Sequence, residues 1–225
     1  RKEQNRTRRY SYIGTGNFHE ETAKIYTDLG LLTASTEIGS EVRKVFDLLV
    51  NNFNRKTYRQ LIISPFATRR RFYELIQHEI QLAQTGKPAS ITLKMNNLVD
   101  TGMIRKLYEA SQAGVKVNLI IRGICSLIPN LEGKSENIRL VNIIGRYLEH
   151  SRVLVFGNGG KQLYFISSAD WMVRNIDHRI EATIPIYDTG IQQELQKMLD
   201  IQLSKSEHRK KKISGAEPAD VQDMA

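Results

Sequence analysis

The chain has 225 residues, 40% of them hydrophobic and 25% charged, a globular composition without any run near the ~18 apolar residues that span a membrane. A single cysteine, Cys125, excludes a disulfide framework and a four-thiolate zinc site, and it suits a reducing, intracellular setting. The formal charge of +9 gathers at the ends, where residues 1–9 and 205–212 each carry five basic groups against one acidic group, and the mildly basic body admits nucleic acid, anionic lipid or polyphosphate without choosing among them.

The chain opens on Arg1, with neither an initiator Met nor a signal-peptide pattern, and so reads as part of something longer. Residues 10–36 read as irregular strand and loop around a glycine-rich turn, Gly14-Thr15-Gly16-Asn17. A helix is expected over 37–50, with Val42, Val45, Phe46 and Leu49 on one apolar stripe. The polar stretch 51–57 is the expected domain boundary.

After the boundary the pattern becomes regular. Gln60–Ser64 reads as a short strand and Arg69–Thr85 as a helix, with Phe72, Leu75, Ile76, Ile80 and Ala83 on one face and Gly86 past its end. Ile91–Met95 alternates as a strand. Asp100 suits the N-cap of a helix carrying Ile104, Leu107 and Tyr108, and Gly114 ends it. Val115–Ile121 is another strand, and this β-α-β-α-β order predicts parallel pairing. Strands then follow at about 138–144, 152–156, 163–168 and 180–186, with Gly157-Asn158-Gly159-Gly160 as a hairpin turn. A last helix is expected over Gly190–Leu203, and the polar remainder reads as disordered. The whole is an α/β domain with a mixed sheet, preceded by the remnant of another unit.

Two segments concentrate chemistry. His150-Ser151-Arg152 opens a strand, and alternation puts the imidazole and the guanidinium on one face. Ser167-Ser168-Ala169-Asp170 ends the next strand, so the hairpin between them brings the segments together. A neutral imidazole can act as nucleophile or base toward phosphorus, and an arginine can clamp phosphate oxygens. Together these resemble the second half-motif of the phospholipase D superfamily, His-x-Lys followed by a Gly-Ser-x-Asn-like turn. Three departures stand out. Arg152 replaces the lysine, Gly157 stands where the motif has aspartate, and Asp170 stands where it has asparagine. Gly14-Thr15-Gly16-Asn17 has the look of a first half-motif's end.

Longer blocks give a closer resemblance. Tyr12-Ile13-Gly14-Thr15-Gly16-Asn17, Ile25-Tyr26-Thr27-Asp28, Leu93–Asp100, Ile121–Leu127, Tyr147–Arg152 and Ser167–Met172 together resemble the bacterial polyphosphate kinases of the first class over about residues 10–204. The resemblance implies two phospholipase-D-like domains, each a mixed sheet flanked by helices. The end of the first would occupy 1–57 and the second 58–204, with 205–225 a basic tail. It implies reversible transfer of the ATP γ-phosphate through an upstream phosphohistidine, absent from this chain, to inorganic polyphosphate. The chain alone is then expected to be inactive. Mg²⁺ would accompany ATP, held by substrate phosphates and residues outside this chain.

Carried over motif by motif, His150 and Arg122 are the expected catalytic residues, and Tyr26, Arg122 and His150 the expected nucleotide- or phosphate-binding ones. Tyr26 could stack on adenine or hydrogen-bond a phosphate. Arg122 follows a buried strand, where open α/β sheets place ligands. Glu181 is the expected carboxylate orienting His150. The implied partners are ATP, ADP and polyphosphate, not nucleic acid. The resemblance also implies a cytoplasmic homo-oligomer, with peripheral membrane association left open. A phospholipase-D-like phosphodiesterase or nuclease, and a non-catalytic polyanion-binding domain, remain the alternatives. Asn96-Asn97 either line the site or cap a turn. Arg69-Arg70-Arg71 reads equally as a polyanion contact or a solvated face, and Cys125 as a small core residue.

Overall fold

Alternating side chains on the central strands feed two separate apolar layers, and this alternation sets the architecture. The structure, a computed structural model, describes residues 1–3, 6–51, 56–143 and 147–214, with the backbone alone at residue 6 and from 205.

β1 (Lys2–Glu3) and β2 (Arg6–Thr7) form a short antiparallel ribbon. Then follow β3 (Ser11–Gly14), the one-turn helix α1 (Glu20–Ala23), β4 (Tyr26–Thr27) and β5 (Gly30–Thr33), which returns antiparallel to β3. Helix α2 (Thr36–Val50) starts where the Ser35 hydroxyl accepts the Ile38 N–H. The inward face of α2 is not the expected stripe. Ile38, Val42, Val45 and Leu48 pack inward, while Phe46 and Leu49 are 62% and 59% exposed. The buried Glu41 fixes this rotation, because its carboxylate accepts the backbone N–H groups of Arg59 (2.7 Å), Gln60 and Leu61 (both 2.9 Å). The same contacts shorten the strand expected at 60–64. With those amides taken, only β6 (Ile62–Ile63) joins the sheet.

Next come α3 (Thr68–Gln84), β7 (Ser90–Met95), α4 (Thr101–Gln112), β8 (Lys116–Ile121), β9 (Ile138–Asn142), β10 (Leu148–Glu149), β11 (Arg152–Phe156), β12 (Leu163–Ser167), β13 (Ala182–Ile186) and α5 (Thr189–Ser214). Asp100 caps α4 through the Met103 N–H at 2.9 Å, as its side chain predicts. Gly86 and Gly114, just past α3 and α4, sit at φ +71° and +92°, which glycine adopts without strain. Helix α5 runs beyond the expected stop at 203, through a stretch rich in the good helix formers Lys, Glu and Arg. Residues 52–55 of the expected boundary and 215–225 of the expected tail lie outside the described residues.

The main sheet has seven strands in the order β6-β13-β12-β11-β7-β8-β9. β7 and β8 pair in parallel, as the helix α4 between them predicts, and β9 joins β8 in parallel with no helix between them. The expected parallel pairing does not extend to β6, which lies at the far edge beside β13 because β11, β12 and β13 stand between it and β7; every contact other than β7–β8 and β8–β9 is antiparallel. One layer joins Leu93, Leu154 and Phe156 to Phe72, Ile76, Leu107 and the stacked Trp171, under α3 and α4. The other joins Val153, Val155, Ile166 and Ile184 to Ile38, Leu195 and Leu199 of α2 and α5. A sheet covered on both faces has strands that read as continuous apolar runs, and every residue of β11 is buried. Among the described residues no helix is long and apolar enough to cross a membrane.

Candidate active site

β11 runs antiparallel to β7, with Val153 opposite Lys94, so the start of β11 lies at the C-terminal end of β7. β12 runs antiparallel to β11, with Ser167 opposite Arg152, so its C-terminal end arrives at the same place. β8 is parallel to β7 and ends there too, delivering Arg122. Four strands therefore bring four short polar segments to one end of the sheet.

The first unit reaches the same point through a contact that the sequence did not announce. β4 and β10 pair in parallel, Tyr26 beside Leu148 and Thr27 beside Glu149. The Thr27 carbonyl accepts the N–H groups of His150 (3.1 Å) and Ser151 (3.0 Å). This places the Tyr26 ring 4.9 Å from the His150 ring, tilted by 49°. It also places Asp28 against His150, with Nδ1 2.9 Å from Oδ1 and 3.1 Å from Oδ2. Asp28 Oδ1 further accepts from the Thr15 hydroxyl at 2.7 Å. Gly16 is required by this approach, because a Cβ there would lie 2.0 Å from Asp28 Oδ2.

Arg152 is buried and spans the site. Its Nε donates to Asp170 Oδ1 at 3.1 Å, its Nη1 to the Thr15 carbonyl at 2.8 Å, and its Nη2 lies 3.2 Å from His150 Nε2. A carboxylate at Nδ1 and a guanidinium donor at Nε2 fit one tautomer, with the proton on Nδ1 and the lone pair on Nε2. The imidazole pKa lies below its ordinary 6.5. Burial is the first cause and the Arg152 charge the second, and both outweigh the opposing pull of Asp28. His150 is thus neutral at pH 7, with Nε2 able to accept.

Asp170 anchors the other side. Its carboxylate takes the Asn96 N–H at 2.9 Å and the Asn97 amide at 3.0 Å besides Arg152. Burial alone would raise its pKa, but the Arg152 charge and these hydrogen bonds hold it below the ordinary carboxylate value. Asn96 Oδ1 accepts Arg122 Nε at 2.9 Å. Neither Nη of Arg122 has a hydrogen-bond partner among the described residues. A Cβ on Gly123 would meet Asn97 Oδ1 at 2.6 Å, which explains glycine after Arg122.

Tyr26, Arg122 and His150 therefore lie in one network, linked through Asn96, Asp170, Arg152 and Asp28. Asn96-Asn97 line it rather than merely cap a turn. Asp28 is the residue that the sequence reading passed over, although it closes the Tyr26-Thr27-Asp28 block. Glu181 does not orient His150. The pairing of β13 with β12 sets it against the Ser168 hydroxyl and the Asn175 amide, which it accepts, the latter at 2.7 Å. Arg69 is no polyanion contact either, because its guanidinium is held by Asp100 and Asp177. Arg70 and Arg71 pair with Glu74 on the helix surface. Cys125 is half-buried beside the apolar layer under α3 and α4.

The family model described as polyphosphate kinase C-terminal domain 2 matches residues 61–217, and that for C-terminal domain 1 matches residues 1–55. The polyphosphate kinase of Vibrio vulnificus strain YJ016 is 58% identical over 87% of this chain, and that of Escherichia coli K12 is 52% identical over 91%. The chain spans 28% and 30% of those relatives. The crystal structure of polyphosphate kinase from Porphyromonas gingivalis superposes with a TM-score of 0.82 at 41% identity, over 88% of this chain and 30% of that one. With a family model covering most of its length, the chain belongs to the polyphosphate kinase family, in the C-terminal region of those enzymes.

Proposed function

We propose that this chain is the catalytic C-terminal part of a polyphosphate kinase. In this reading the γ-phosphate of ATP passes, reversibly, through a histidine outside this chain to the end of inorganic polyphosphate. The chain alone makes no polyphosphate, since positioning is most of phosphoryl-transfer catalysis. What carries the reading is the convergence of Tyr26, Arg122 and His150 on one end of the sheet, with a neutral imidazole and a guanidinium whose Nη donors are free among the described residues.

Each residue has a distinct task. Arg122 is held through Nε by Asn96, which leaves its Nη groups to bind non-bridging oxygens of the transferring phosphoryl group. A fixed donor there stabilises charge that builds up in the transition state. His150 Nε2 takes the proton from a phosphate hydroxyl as that oxygen attacks and returns it in the reverse direction. Asp28 keeps the proton on Nδ1, and Arg152 holds Nε2 until substrate replaces it. Tyr26 packs on the imidazole and shapes the nucleotide side of the pocket. The nearby carboxylates do not fit a magnesium site. Asp28 is occupied by His150 and Thr15, Asp170 by Arg152 and two asparagines, and no acidic cluster of metal-binding size occurs among the described residues. Mg²⁺ in this reading arrives on ATP, with ligands outside the chain.

The test is to supply the full-length protein with γ-labelled ATP and polyphosphate. Label in lengthening, acid-precipitable chains supports the reading. ATP-independent hydrolysis of a phosphodiester, with no label in chains, would favour the phospholipase-D-like alternative.

A further inference from the structure

Lys94 is 2% exposed near the end of β7, on the strand face opposite the buried Ile91, Leu93 and Met95. A charged side chain there is costly, and replacing a buried ion pair with well-packed apolar residues is often neutral or stabilising. Stability therefore does not explain it, and its contacts supply another reason. The Nζ lies 2.8 Å from Glu149 Oε2 and 2.5 Å from Ser151 Oγ, the residues on either side of His150. Gln202 of α5 donates to the same Glu149 oxygen at 3.2 Å. Burial pushes the Lys94 ammonium pKa down, and Glu149 opposes that shift.

The segment 149–151 needs such an anchor. β11 begins only at Arg152, so His150 lies outside the seven-stranded sheet. Its backbone is tied to the Thr27 carbonyl on one side and, through its own carbonyl, to the Asn96 amide at 3.4 Å on the other. Lys94, near the end of β7, and Asn96, just past it, both reach this segment. One grips the side chains flanking His150 and the other grips its carbonyl.

We infer that the Lys94–Glu149 pair is a positioning device, gripping the strand entrance from below so that His150 Nε2 is aimed at the transferring phosphoryl group. The inference rests on the function proposed above. Lys94 touches no substrate in this account and acts through His150. Misplacing a reacting group by about 1 Å costs roughly 10²-fold in rate, so loss of the grip lowers turnover more than nucleotide affinity.

Three variants of the full-length protein decide the matter: Lys94→Met with Glu149→Gln together, Glu149→Gln alone, and His150→Ala as reference. Melting, ADP affinity and single-turnover phosphoryl transfer are measured on each. With no charge left unpaired, the double variant is expected to melt near the parent and to bind ADP within about threefold. Its transfer is expected to fall roughly 10- to 100-fold. Should the double variant fail to fold, Glu149→Gln keeps the size and polarity of the side chain but leaves the buried Lys94 ammonium with Ser151 as its remaining partner. It is therefore expected to melt well below the parent and, in the protein that is folded, to show the same split between rate and affinity. Parent-like transfer in the folded variants, with transfer abolished by His150→Ala, overturns the positioning role alone. Parent-like transfer in His150→Ala overturns the functional reading and the positioning role with it.

Discussion

Gly16→Ala is a small change with a consequence that can be worked out from geometry. The new methyl would lie 2.0 Å from Asp28 Oδ2, 2.3 Å from Cγ and 2.8 Å from Oδ1, where ordinary contact begins at 3.4 Å. The carboxylate must therefore retreat by about 1.4 Å. Its hydrogen bonds to His150 Nδ1, at 2.9 and 3.1 Å, do not survive that movement. Folding suffers little, because Asp28 is 26% exposed and can be hydrated; a loss of about 1 kcal/mol, or roughly 2–4 °C in melting, is expected. His150 suffers more. It loses the group that raises its pKa, so a value already below 6.5 falls further, and its proton is no longer confined to Nδ1. The assay is nitrogen-15 NMR of the histidine rings against pH, beside single-turnover phosphoryl transfer in the full-length protein. Transfer is expected to fall roughly 10- to 100-fold. A folded Gly16→Ala protein with the parent's His150 tautomer, pKa and rate would refute the reasoning.

Arg122→Ala and Arg122→Lys are both expected to lower turnover roughly 10²-fold, since lysine keeps the charge and loses the fork; full activity in the lysine variant would reduce Arg122 to a background charge. Asp170→Asn leaves the buried Arg152 without its carboxylate and is expected to destabilise by roughly 3–5 kcal/mol in urea melts. In the parent the pKa of Asp170 is depressed, so its contribution is present above the ordinary carboxylate value and is lost as pH falls toward the folded-state value; the asparagine variant should lose less stability than the parent over that acid range. Glu41→Ala leaves three backbone N–H groups without their acceptor and is expected to cost about 3 kcal/mol, roughly 6 °C or more in melting, with nucleotide affinity unchanged.

The main sheet was legible because its strands are local and strongly patterned. The parallel pairing of β7 with β8 followed from the helix between them, and the β11–β12 hairpin from its glycine-rich turn. That hairpin carried the approach of Arg152 to the Ser167–Asp170 turn. Less legible were features fixed by contacts distant in sequence. The turn of α2 was misjudged because Glu41 reads as a solvent-facing acid until the amides of 59–61 arrive beneath it. Asp28 was passed over because its tie to His150 depends on the two-residue pairing of β4 with β10, and two residues carry no periodicity. Glu181 was expected, as a carboxylate on the strand at 180–186, to orient His150, but β12 lies between that strand and β11, and Glu181 accepts from Ser168 and Asn175 instead.

His150 carries the proposed chemistry most directly, and replacing it with alanine in the full-length protein tests that role. Melting and single-turnover phosphoryl transfer from ATP are measured side by side. Because His150 is partly exposed and its partners Asp28 and Arg152 keep other hydrogen bonds, the variant is expected to melt within a few degrees of the parent, at about 1 kcal/mol or less. Transfer is expected to fall by roughly 10²–10⁴-fold, the range for loss of a general acid or base. A large drop in melting temperature with near-normal transfer in the protein that remains folded would contradict the account and make His150 a structural residue.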